Sequence, residues 1–430
     1  MIHKLAIIFM LLTGLSFHLF SQSRDSLLVL DELIQELVQN NPELQASWNK
    51  WQAALTRPSQ SGALPDPVLG VGFMNLPIHS FALDEEMMSG RQLSLMQMFP
   101  FPGKLGTRQH IMLNEAAIAE QQYLQKKNDL IKALKEAYFE LFYINKAMHT
   151  NHKNQVVLNQ FLQIAETRYR VGKGIQQDVF KAQLELSKLT DNLYELQQQQ
   201  QHLAAEIAFL LNRRSPTPAP KTEELSFITF EMGLDELQRL AEKHNPFLHS
   251  WRITVQQSEQ KISLARKEYL PDFKIELTYI QREVLWTGEG GIDLFSGMVG
   301  LTLPLYFWNK QARQVQETEL DAQASHHMHE SARQMIYREL EKSYRTLQMN
   351  HKRWQLFKNM IIPQAEQTLQ SALSAYQVDR VDFLTVIENQ MSLYTYELES
   401  HRILSDYYKN IAEVEVLVGI PLINTMFKIH

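Results

Sequence analysis

The chain has 430 residues, a net charge of −6 with both signs interspersed, and no cysteine. Those figures exclude a disulfide scaffold and an acyl anchor on an amino-terminal cysteine, and they lack the basic excess that draws nucleic acid. The length fits one large domain or two ordinary ones.

Residues 1–22 read as a secretory signal peptide. Met1-Ile2-His3-Lys4 is followed by an apolar run from Leu5 to Phe20 and then Ser21-Gln22-Ser23. An uncleaved anchor helix competes, although the run is short for a span. Either way the body is expected outside the cytoplasm.

From residue 23 onward the chain says nearly the same thing twice. RYRVGKGIQQDVFKAQLEL, Arg168 to Leu186, aligns without a gap on AYQVDRVDFLTVIENQMSL, Ala375 to Leu393. Asn41-Pro42-Glu43-Leu44 returns as Asn245-Pro246-Phe247-Leu248, and Leu64-Pro65-Asp66 as Leu270-Pro271-Asp272. Phe101-Pro102-Gly103-Lys104 returns as Phe307-Trp308-Asn309-Lys310. The order is the same in both copies, which marks a duplication. It divides the chain into a first repeat, 23–212, a linker, 213–232, opening on the proline-rich Arg213 to Lys221, and a second repeat, 233–430.

Each repeat reads as short helix, strand pair, long helix, tight turn, shorter helix. In the first, a helix over Pro42–Gly62 precedes strands over about 66–75 and 91–99, joined by the loop Asn75 to Gly90. The stretch after Gly103 has no proline before Pro216, and a helix from Gly103 to Val171, about 69 residues, would reach roughly 100 Å. Its partner, Ile175 to Asn212, carries apolar residues spaced by three and four at Val179, Ala182, Leu186, Leu189, Leu193 and Leu196, a coiled-coil seam. Because that helix is shorter, it and the Pro42–Gly62 helix together match the long one.

The second repeat gives helices over Pro246–Glu268, Lys310–Gln377 and Val381–Gly419, with Pro363 expected to kink or split the long one. Its strands, about 272–282 and 297–307, flank the loop Gln281 to Gly297. Phe273, Ile275, Leu277 and Tyr279 alternate with Lys274, Glu276 and Thr278. Strands of about 9 to 11 residues with one apolar and one polar face have the length to cross a bilayer. An amphipathic sheet packed on a helix is the competing reading. Four strands leave open edges and cannot close a membrane barrel, so a barrel requires several chains.

The one metal-like cluster is His326-His327-Met328-His329-Glu330, in which His326, His329 and Glu330 can share a helix face as weak ligand candidates. Met74, Met87, Met88, Met96 and Met98 suit packing as well as soft-metal handling. With no phosphate loop, nucleophile elbow or His-Glu-x-x-His, the sequence points away from an enzyme and from any cofactor.

Taken together, the repeated Asn-Pro-x-Leu helix starts, the paired strands, Phe99-Pro100-Phe101-Pro102-Gly103-Lys104 before the long helix and Tyr169-Arg170-Val171-Gly172-Lys173-Gly174 at the turn resemble the TolC family of outer-membrane efflux proteins. The segment from Gln97 to Lys104 is most similar to its CzcC- and CusC-like heavy-metal branch. The resemblance implies a mainly helical homotrimer with a coiled-coil α-barrel in the periplasm and a twelve-stranded β-barrel in outer-membrane lipid. It also implies a periplasmic adaptor and an inner-membrane pump of the RND type.

It puts the periplasmic tip and adaptor contact at Arg168, Arg170, Val171, Gly172, Lys173, Gly174, Val378, Asp379 and Arg380, with Asp178, Asp382 and Glu388 as gate candidates. Asp379 and Arg380 stand where the family has glycine, which puts the second turn's geometry at issue. Two alternatives remain open on the sequence: a periplasmic coiled-coil adaptor or scaffold, and the outer-membrane channel of a type I protein secretion system.

Overall fold

A computed structural model describes residues 27–422, so the signal segment lies outside the described residues. In chain order the elements are β1 (Leu27–Leu28), α1 (Leu30–Asn40), α2 (Pro42–Gly62), β2 (Val68–Met74), β3 (Gly90–Phe99), α3 (Lys104–Arg170), α4 (Gln176–Leu210) and β4 (Lys221–Thr222). There follow α5 (Leu234–His244), α6 (Pro246–Lys267), β5 (Asp272–Gln281), β6 (Leu294–Thr302), α7 (Gln311–Leu356), a π-turn (Phe357–Ile361), α8 (Ile362–Gln377) and α9 (Phe383–Val418). They form two compact units, one of residues up to 45 with 126–243 and 337 onward, the other of 46–125 and 244–336. Both units draw on both copies of the duplication. No helix among the described residues is long and apolar enough to cross a membrane.

In the first unit the linker lies as a strap over the helices. β4 pairs in parallel with β1, Leu27 opposite Lys221 and Leu28 opposite Thr222. Beyond that short pairing the strap's backbone groups have no sheet to satisfy them, and tyrosine hydroxyls take them up. Tyr138 donates to Leu28 O at 3.0 Å and accepts from Glu223 N at 3.0 Å, while Tyr407 donates to Ile228 O at 2.9 Å and accepts from Phe230 N at 3.0 Å. Phe227 stacks on Trp354 with centroids 4.3 Å apart. Where α4 ends, Asn41 serves two helices: its carboxamide oxygen accepts from Leu44 N at 3.0 Å, capping α2, and its nitrogen donates to Leu210 O at 2.9 Å.

Near this strap His401 of α9 is half-buried, and burial together with the neighbouring Lys146 pushes its imidazole down to about 4 from 6.5, against the opposing pull of Glu397 and Glu224. The unfolded chain takes up this proton near 6.5 and the folded chain only near 4, so the unfolded state binds more protons across that window and stability falls as pH is lowered through it. His401→Gln should flatten the fall between those values, as read by thermal unfolding against pH; an unchanged slope would assign it to other groups.

The long helices of the two copies differ at one place. α3 is continuous for 67 residues, whereas its counterpart is broken by the π-turn, in which Ile362 N–H reaches back to Phe357 O, five residues away. The expected interruption near Pro363 takes this form, with the π-turn ending two residues before the proline. Pro363, which has no N–H to give to the helical ladder, follows directly on this wider turn, in the first turn of α8.

In the second unit the strands form one antiparallel sheet in the order β2-β3-β5-β6, leaving β2 and β6 as edges. Register runs from Leu69 opposite Leu95, through Leu95 opposite Leu277, to Phe273 opposite Leu301. One face therefore carries Leu69, Val71, Phe73, Leu93, Leu95, Ile275, Leu277, Tyr279, Phe295, Val299 and Leu301, all exposed, with Val71 at 82%. The opposite face carries Ser94 across from Thr278, and Lys274 paired with Glu276 at 2.9 Å.

β6 corrects the sequence reading. It begins at Leu294 and stops at Thr302, so residues 303–307, expected in the strand, leave it, with 305–307 in a turn. Pro304 removes a ladder donor there, and Leu305 N bonds back to Leu303 O at 2.9 Å.

Candidate functional site

The turns between paired helices are built on a shared core. Leu158, Phe161 and Ala165 of α3, Ala182 and Leu189 of α4, Leu369 and Ala372 of α8, and Phe383, Val386, Ile387 and Leu393 of α9 are buried in one cluster. This brings both turns to one end of the first unit. A buried polar layer crosses the same bundle: Asn151 donates to Leu189 O at 3.0 Å and to Asn192 at 3.1 Å, and Gln390 donates to Asn154 at 2.7 Å.

The two turns have the same backbone despite their different residues. Gly172 has φ +68°, and the matching Asp379 has φ +56°. Lys173 N bonds Arg168 O at 2.9 Å in the first turn, and Arg380 N bonds Ala375 O at 2.9 Å in the second. Such a left-handed closing residue favours glycine. The departure at Asp379 leaves the turn intact, at the cost of a side chain in a disfavoured conformation.

That side chain has a partner. The Arg168 guanidinium forms an ion pair with Asp379, donates to Tyr376 O at 3.1 Å and lies 4.5 Å from the Tyr376 ring centroid. One arginine of the first turn thus clasps the second turn by charge, hydrogen bond and ring face. Arg170, Val171, Lys173, Val378 and Arg380 are exposed around it, with Gly174 packed close to Arg168.

The acids named as gate candidates divide their work. Asp382 caps α9, accepting from Thr385 N at 2.9 Å and Thr385 Oγ1 at 2.6 Å, and these bonds hold its carboxyl below the usual range. In the first copy the matching cap position is Ile175, and Asp178 reaches back to accept from the Ile175 amide. Each copy keeps one half of a capping box. Burial first, then the Asp382 charge, push the Asp178 carboxyl up, against the Ile175 amide and Arg168. Asp178 lines a groove of about 290 Å³ between α4 and α9 with Phe180, Leu184, Phe383 and Leu384. Glu388 is exposed on α9.

Sequence reasoning missed Tyr376 as part of this arrangement and counted Asp379 as a tip and adaptor-contact residue, without its pairing to Arg168. The constant pairing of Tyr169 with Tyr376 was the available signal. The weak ligand set His326, His329 and Glu330 does not assemble: Glu330 pairs with Arg333 at 2.8 Å, and the described residues contain no group of three His, Asp or Glu able to hold a metal ion.

In the second unit Lys104 is 1% exposed at the start of α3. Its ammonium donates to Glu268 at 3.1 Å, Leu270 O at 3.0 Å and Asp272 at 2.9 Å, and Phe101 N donates to Asp272 at 2.8 Å. Arg108 adds a bond to Glu268 at 3.1 Å.

The family described as outer membrane efflux protein matches residues 33–213 and 237–419, once per copy. The cobalt-zinc-cadmium resistance protein CzcC of Cupriavidus metallidurans is 19% identical over 341 residues, spanning 78% of this chain and 79% of that one. The outer membrane protein VceC of Vibrio cholerae superposes with a TM-score of 0.76 at 19% identity, covering 91% of this chain and 96% of its own. CusC superposes with a TM-score of 0.78 at 15% identity, covering 91% and 92%.

Proposed function

Because the chain belongs to the outer membrane efflux protein family, we propose that it is the passive outer-membrane conduit of a tripartite efflux system, a homotrimer whose strands complete a twelve-stranded barrel. The observation that carries this is the sheet: one face almost wholly apolar and exposed, the other mixing Ser94, Thr278, Lys274 and Glu276 with methionines, and both edges open. Open edges on a sheet of this kind need partners, and lipid accepts the apolar face only if every backbone group is paired. A coiled-coil adaptor or scaffold would need neither feature.

The paired turns are the periplasmic tip. Their exposed residues, Arg170, Val171, Lys173, Val378 and Arg380, with the groove between α4 and α9, form the contact for the periplasmic adaptor, which links the conduit to an inner-membrane pump of the RND type. The Arg168 clasp with Asp379 holds the tip closed. Asp178, Asp382 and Glu388 supply negative charge near it, which would favour cations. The cargo is small molecules or metal ions, the metal reading resting on likeness to CzcC and CusC.

Mass measurement of the protein extracted from outer membranes in mild detergent tests the assembly. Three chains per particle are expected. A monomer that stays soluble without detergent would return the reading to the adaptor or scaffold.

A further inference from the structure

The Lys104 cluster is half of a symmetric pattern whose other half stands unfilled in one chain. Lys104 and Phe101 come from the first copy, Leu270 and Asp272 from the second, and the adjacency of β3 and β5 brings them together. The duplication supplies the same residues again, Lys310 and Phe307 from the second copy and Leu64 and Asp66 from the first. These follow β6 and precede β2, the two open edges of the sheet, so one chain cannot join them as it joins the first set. Lys104 is buried, whereas Lys310 and Asp66 are exposed. Phe101 is half-buried and stacks on Phe273, whereas Phe307 is 49% and Leu64 48% exposed.

We propose that a second copy of this chain fills the vacancy, with Lys310 of one subunit pairing with Asp66 of the next as Lys104 pairs with Asp272 within a chain. The inference rests on the ring of three put forward above and adds the contact that sets its register. Alternating intrachain and interchain lysine–aspartate pairs would then fasten each long helix to the strand beside it at six points around the ring. The interchain pair has a single carboxylate, because Gly62 stands where the intrachain set has Glu268. It is therefore the weaker fastening, and the ring should part there first.

Charge exchange tests it. Lys310→Glu and Asp66→Lys should each lower the temperature at which the detergent-extracted trimer dissociates, and the double variant should recover most of the loss. Since the chain has no cysteine, Asp66→Cys combined with Lys310→Cys and a short bismaleimide should also give covalent trimers, with none from either single variant. A wild-type trimer whose double variant is no better than the singles, and whose cysteine pair yields no covalent trimer, overturns the pairing and leaves the ring standing. A wild-type monomer overturns both.

Discussion

Lys104→Met is expected to be the most damaging single substitution, with a loss of about 3 kcal/mol of folding stability. The methionine keeps the volume but leaves Glu268 and Asp272 facing each other without their shared cation, and Leu270 O without a donor. Removing one partner of a buried pair costs about 3–5 kcal/mol, and the lower end applies because both carboxylates remain about a quarter exposed. Folded protein recovered from outer membranes, and its thermal unfolding, should both fall. Lys104→Arg should not rescue it, because a planar fork cannot place one nitrogen among three acceptors as an ammonium does. Wild-type stability in Lys104→Met would mean that the cluster contributes nothing net.

Asp379→Gly is expected to raise single-channel conductance several-fold. The substitution separates two effects that sequence alone leaves mixed. Glycine suits φ +56° and should relieve about 1 kcal/mol of backbone strain, so the turn itself survives. What is lost is the ion pair to Arg168. Arg168→Ala also removes the Tyr376 ring contact and should open the tip at least as far. Asp178→Asn leaves the clasp untouched and should change conductance little. Triple replacement of Arg168, Arg170 and Asp178 should do no more than Arg168→Ala. Conductance unchanged in Asp379→Gly would place closure elsewhere.

Much of the fold was legible because periodicity and punctuation agreed twice over. Helix limits fell within a few residues of Pro42, Gly62, Gly103 and Gly419, where the chain itself changes chemistry. The strand faces followed from alternation around Phe273 to Tyr279. The end of β6 was misread because apolar alternation continues through Phe307 while Pro304 has already broken the ladder.

A subtler sign was present in the repeat itself. The stretch from Lys310 to Tyr376 is one residue longer than that from Lys104 to Tyr169. A π-turn is how a helix absorbs one inserted residue, and Phe357–Ile361 is where it does so. At the tip, residue types did not show which acid meets which base. Asp178, Asp379 and Asp382 lie within a few residues of matching positions, and only the turn geometry gives Asp379 to Arg168 and leaves Asp382 as a cap.

The central claim, that this chain forms a membrane-spanning conduit normally shut at its tip, is tested most directly by planar-bilayer recording of the purified wild-type protein. Discrete, long-lived conductance steps of small size are expected. Protein that is electrically silent at every concentration, while remaining folded, would contradict it.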